Sequence, residues 1–122
     1  MADVLALVDD LFFQAKMAET ARHVGVTLQT VATGDALVAY VSSSAPRLIL
    51  VDLNARQGPL QAIEKLQAAG NVLPVIAFLS HVQTELAQQA GAAGCQRVLP
   101  RSKFTAEMAD IFREVKARET KP

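Results

Sequence analysis

Three carboxylates stand where apolar runs end. Asp9 and Asp10 close the run Val4-Leu5-Ala6-Leu7-Val8, and Asp52 closes Leu48-Ile49-Leu50-Val51. Continuous apolar runs of this length suit strands buried on both faces, since a half-exposed strand would alternate. In open parallel α/β sheets, ligands collect outside the carboxyl ends of the strands, so an acid ending a strand stands where chemistry is expected. Brought to one edge, such acids repel; two unit charges about 4 Å apart cost roughly 4 kcal/mol at an effective dielectric near 20. A divalent cation would offset that repulsion, and carboxylates with carbonyls and water form the hard oxygen shell that magnesium prefers. Asp10 and Asp52 would ligate it directly and Asp9 through water. The plainer reading makes Asp9 the cap of the first helix and Asp10 a first-turn acid, both favoured by the helix dipole without metal. That Asp52 ends a second buried strand favours the cluster.

The elements that must position these acids follow from periodicity. Val4 to Val8 reads as a buried strand. Phe13, Met17, Ala21 and Val24 then fall on one stripe of a helix from Leu11 to Val24, which Gly25 terminates. Val26 to Ala32 alternates and reads as a less buried strand at a sheet edge. Thr33-Gly34-Asp35 supplies an N-cap and a first-turn acid for a helix to about Ser43, and the turn Ser42-Ser43-Ser44-Ala45-Pro46 leads into the strand that ends on Asp52. Pro59 suits the first turn of a third helix carrying Leu60, Ile63 and Leu66 inward, which Gly70-Asn71 closes. Val75 to Leu79 is a continuously apolar, central strand, followed by Ser80-His81. A fourth helix, about Thr84 to Ala93, has Leu86 and alanines as its main anchors and is the least anchored. Cys95 to Leu99 forms a fifth strand, and Phe104, Met108, Ile111, Phe112 and Val115 mark the last helix.

Strand and helix alternate five times with short connections. Right-handed crossovers then give a doubly wound α/β fold, a flavodoxin-like (βα)5 domain over residues 1–122 with a five-stranded parallel sheet in the order 2-1-3-4-5. The first and third strands lie side by side at its switch point, which brings Asp9, Asp10 and Asp52 to one edge.

Composition bounds the function. The chain has 122 residues, 51% of them hydrophobic, enough for one sizeable core. Twelve basic and twelve acidic residues cancel, so no field draws it to nucleic acid or anionic lipid. No apolar run approaches the roughly eighteen residues of a membrane span, and the acidic N-terminal stretch lacks the basic start of a signal peptide. The single cysteine, Cys95, excludes an intrachain disulfide and fits a reducing compartment. A soluble, cytoplasmic protein is expected.

Val8-Asp9-Asp10, Pro46-Arg47-Leu48-Ile49-Leu50-Val51-Asp52, Pro74-Val75-Ile76, and Gly94 before the fifth strand together resemble the receiver domain of two-component response regulators, the CheY-like family. The resemblance spans nearly the whole chain and is that of an atypical, pseudo-receiver variant. It implies that Asp9, Asp10, Asp52 and the backbone carbonyl of Asn54 hold magnesium, and that Asp52 accepts a phosphoryl group from a histidine kinase. It further implies a hydroxyl residue ending strand 4, a lysine after strand 5, and an aromatic residue in strand 5 that changes rotamer. Counted without gaps, Leu79 falls at the hydroxyl position and Ser80 beside it; one extra residue in strand 4 would restore Ser80. The lysine becomes Arg101, whose planar fork is not interchangeable with a compact ammonium. The aromatic becomes Val98, which cannot flip a ring, and the usual Met-Pro after the acceptor becomes Ala55-Arg56.

The expectation is therefore a stand-alone, non-enzymatic regulatory or docking module with a degenerate phosphorylation switch, its only chemistry at most self-phosphorylation from a phosphodonor. Its partner would be a protein: a kinase, a downstream effector or a second copy. A working magnesium-dependent phosphoacceptor, with Asp52, Arg101 and Ser80 in the catalytic roles, is the alternative. A small flavodoxin-fold enzyme or ligand binder using His81 beside the acids ranks third, since fold alone confers no activity. Elsewhere, His81 could reach the acid edge or simply cap a helix, His23 is solvated, and Cys95 is a small inert hydrophobe. Phe12, adjacent to Phe13, packs under a loop or is partly exposed at the edge. No glycine-rich phosphate loop follows strand 1, which argues against a dinucleotide site.

Overall fold

A computed structural model of the chain describes residues 2–80 and 84–119. Its elements are β1 (Val4–Leu7), α1 (Leu11–Val24), β2 (Leu28–Val31), α2 (Gly34–Ser43), β3 (Leu48–Asp52), α3 (Pro59–Ala68), β4 (Val75–Leu79), α4 (Thr84–Ala92), β5 (Arg97–Pro100) and α5 (Arg101–Glu119). All strand pairs are parallel and the order is β2-β1-β3-β4-β5, the flavodoxin-like arrangement the sequence predicts. The three inner strands β1, β3 and β4 are buried at every position, as their unbroken apolar runs require.

Strand alternation divides the core in two. On one face Ala6, Leu50 and Phe78 meet α1 and α5 through Phe13, Met17, Phe104, Met108, Phe112 and Val115. On the other, Leu7, Val51, Ala77 and Leu79 meet α2, α3 and α4 through Leu37, Ile63, Leu66 and Ala90. Helix boundaries follow local chemistry. Thr33 caps α2 by accepting from the Ala36 N–H at 3.1 Å. Gly25 ends α1 in the left-handed region at φ 89°, where its N–H donates to the Ala21 carbonyl.

Two strands begin later than the sequence reading places them. β5 begins at Arg97 rather than Cys95, because the Cys95 N–H turns back to the Ala90 carbonyl at 3.2 Å and sheet pairing starts only with Gln96 N–H on the Val75 carbonyl at 2.9 Å. β2 is shorter than Val26–Ala32, because the Val26 N–H still bonds the Ala21 carbonyl at the end of α1.

Candidate functional site

Asp52 ends β3 on the α1/α5 side of the sheet, and it is only 1% exposed. Both of its carboxylate oxygens accept from the protein. Oδ1 takes the Asn54 N–H at 2.9 Å, which shapes the turn after the strand, and Oδ2 takes Nη2 of Arg101 at 2.8 Å. Burial pushes the Asp52 carboxyl above its ordinary value of 3.8, and the Asn54 N–H and Arg101 only partly counter it.

Arg101 is the first residue of α5, and its guanidinium is held on three sides. Nη2 meets Asp52, while Nη1 lies 3.9 Å from Asp10 Oδ2. The plane rests 4.6 Å from the centre of the Phe13 ring and 5.5 Å from that of Phe78, within cation–π range of both. Phe78 in turn stacks on Phe104 at 4.4 Å. The rings that set the core of this face therefore also set where the cation sits.

The other two acids are engaged differently. Asp10, not Asp9, is the N-cap of α1, its Oδ1 accepting from the Phe12 and Phe13 N–H groups at 2.9 and 3.2 Å. The reason is geometric: Asp10 alone precedes the first helical residue with extended backbone, at φ −82° and ψ 113°. Asp9 Oδ2 accepts from the Arg56 backbone N–H at 2.9 Å and faces its Nε at 3.4 Å. Asp9, Asp10 and Asp52 thus share one edge without sharing one centre, and no group of three His, Cys, Asp or Glu among the described residues is arranged to hold a metal ion. Between Asp10 and Asp52, where a magnesium ion would sit, lies the Arg101 guanidinium, so in this arrangement the two acids do not fit the metal.

The remaining candidates separate by face. Leu79 is buried with the α2–α4 cluster, and Val98 packs against that same cluster. Ser80 follows β4 and is exposed; its N–H donates to Asn54 Oδ1 at 2.5 Å, tying the ends of β3 and β4 together. His81 lies outside the described residues. His23 is exposed and 2.9 Å from Glu19. Cys95 is half-buried, and burial pushes its thiol up to about 11, which leaves little thiolate for chemistry at neutral pH. Leu11 and Phe12, 75% and 91% exposed, stand at the start of α1 beside the acids. The residues that sequence patterning did not single out are Phe13 and Phe78 as the bed of Arg101, and Arg56 as the partner of Asp9. A core stripe signals only that Phe13 is buried, not what rests upon it.

The fold is a doubly wound α/β domain with its carboxylates at the switch-point edge of the sheet. No family model matches the sequence, and no curated protein is similar to it at a significant level. Solved structures do match. The chemotaxis protein CheY4 of Vibrio cholerae superposes with a TM-score of 0.80 at 19% identity, over 94% of this chain and 98% of that one. A response regulator in red light signaling of R. palustris gives 0.76 at 18%, over 94% and 91%. The receiver domain of NtrX from Brucella abortus gives 0.75 at 21%, over 92% and 98%. At these identities the likeness establishes the fold alone, the doubly wound α/β arrangement that these proteins share. No helix among the described residues is long and apolar enough to cross a membrane.

Proposed function

We propose that this chain is a receiver-like docking module of two-component-type signalling in which the usual phosphorylation switch is degenerate. One observation carries the reading: Asp52 is buried and both its oxygens already accept from Asn54 and Arg101. A phosphodonor would have to reach a carboxylate that is almost wholly buried, and the charge-assisted hydrogen bond to Arg101 draws electron density from the oxygen that would attack. Val98 and Leu79 add that the position of the flipping aromatic is aliphatic and that the last strand residue faces away from Asp52. With no rotating ring and no hydroxyl on Leu79, occupancy of Asp52 has little means of reaching α4. The effect then passes through contact with a partner protein, and the exposed Leu11 and Phe12 beside the acid edge suit such a contact.

A working phosphoacceptor is the second reading. It draws on Ser80, which follows Leu79 and by strand alternation belongs to the Asp52 side, and on Arg101 in the place of the family's lysine. Acetyl phosphate with magnesium, read by intact mass for the wild type and Asp52→Ala, separates the two. The docking reading expects no adduct; a phosphoryl adduct present in the wild type and lost in Asp52→Ala establishes the acceptor instead.

A further inference from the structure

Arg101 occupies an electrostatically awkward place. As the first residue of α5 it puts a cation at the positive end of a 19-residue helix, where an anion would be favoured. What offsets this is the surroundings already described: Asp52 at 2.8 Å, Asp10 at 3.9 Å, and the Phe13 and Phe78 rings beneath the guanidinium plane. The side chain is 25% exposed, so it is not a solvated surface arginine that happens to fold inward. Arg56, an exposed side chain, faces Asp9 at 3.4 Å. Three negative charges at this edge meet two positive ones supplied by the chain itself.

We propose that the Arg101 guanidinium is the resident cation of this carboxylate edge and that it excludes divalent metal from it. A magnesium ion needs near-octahedral oxygen ligands at about 2.0–2.1 Å and gives up its waters reluctantly. To bind between Asp10 and Asp52 it must displace Nη1 and Nη2, and the displaced arginine must leave two aromatic faces while remaining tethered beside a double positive charge. A lysine could retreat as a flexible point charge; a planar fork stacked on rings is fixed. Removing the fork, in contrast, leaves Asp10 and Asp52 with uncompensated charge and room for hydrated metal. The edge therefore keeps the capacity of a metal site and holds it closed with one side chain.

This inference rests on the reading that the edge is not a working acceptor, but its test uses metal alone and no phosphodonor, so either can fail without the other. Magnesium, and separately manganese as a paramagnetic probe, are titrated into the wild type, Arg101→Gln and Arg101→Gln/Asp52→Asn, with folding checked by circular dichroism. Glutamine keeps a hydrogen-bond donor and part of the stem, which favours a folded variant. The wild type is expected to show no saturable binding at millimolar metal. Arg101→Gln should bind at least about tenfold tighter, a modest fraction of what one unit charge a few ångströms away can exert. The double variant should lose that gain. Saturable binding by the wild type that broadens the amide signals of Asp10 and Asp52 overturns the proposal, as does a folded Arg101→Gln that gains nothing. If Arg101→Gln does not fold, the wild-type titration decides by itself.

Discussion

The two faces of the sheet are built from different materials. On the α1/α5 face three phenylalanines, Phe13, Phe78 and Phe104, lie together at centroid distances of 4.4 to 6.1 Å, and each helix buries one stripe of side chains. On the α2–α4 face the fully buried side chains are all aliphatic, and α4 contributes one of them, Ala90, with Leu86 and Ala87 only partly covered. The charged site belongs to the first face. Val98, Leu79 and α4, through which a receiver-type readout would run, belong to the second. The aromatic face thus fixes the cation, and neither Leu79 nor Val98 offers the other face a polar or aromatic side chain to feel it.

Substitutions can break or sharpen that contrast. The largest effect is expected from Phe104→Ala, which removes a buried ring from the aromatic stack and should cost about 3–5 kcal/mol in urea denaturation. Leu86→Ala on α4 should cost much less, because its side chain is only partly buried. Equal losses at the two positions would erase the distinction between the faces.

A smaller effect concerns Asp52 and pH. Its raised value means that the native state takes up this proton more readily than the unfolded chain does, so the penalty for burying the charge is present near neutrality. That penalty disappears as pH falls toward the ordinary value of 3.8. The wild type should therefore gain stability relative to Asp52→Asn as pH is lowered over that interval, measured as the difference in denaturation midpoints. A loss over the same interval would mean that Arg101 outweighs burial. Smallest is Gly91→Ala in α4. The added methyl meets nothing within 4 Å, and the change should stabilise by about 0.4–1 kcal/mol. A destabilised variant would show α4 to be more closely packed than its burial indicates.

Much of this architecture was legible in the residues. The unbroken runs at Val4, Leu48 and Val75 mark the buried inner strands, and the Phe13-Met17-Ala21 stripe marks the inward side of α1. Periodicity carries such information because burial acts on every second or every third to fourth residue. The site was legible only as far as strand ends could tell. That Asp9, Asp10 and Asp52 share an edge follows from topology; that Asp9 turns to Arg56, 47 residues away, depends on a loop conformation that no local pattern encodes. Arg101 was recognisable as a charge in the lysine position, but its reach to two acids and two rings is set by packing across α1, β3 and β4. The start of β5 was misplaced for a related reason: the pattern at Cys95 looks like strand, yet its N–H is claimed by the turn that ends α4.

β5, one of the two outer strands, limits how anything can join the sheet at its edge. It is four residues long, exposes Arg97, and ends on Pro100, which has no N–H to offer a neighbouring chain. Extension of the sheet by strand addition is therefore disfavoured at that edge, both for an aggregating copy and for a peptide. At this end of the sheet an approaching protein meets helix surfaces or the loops at the carboxyl ends of the strands, and it is at such a loop end that the exposed Leu11 and Phe12 stand.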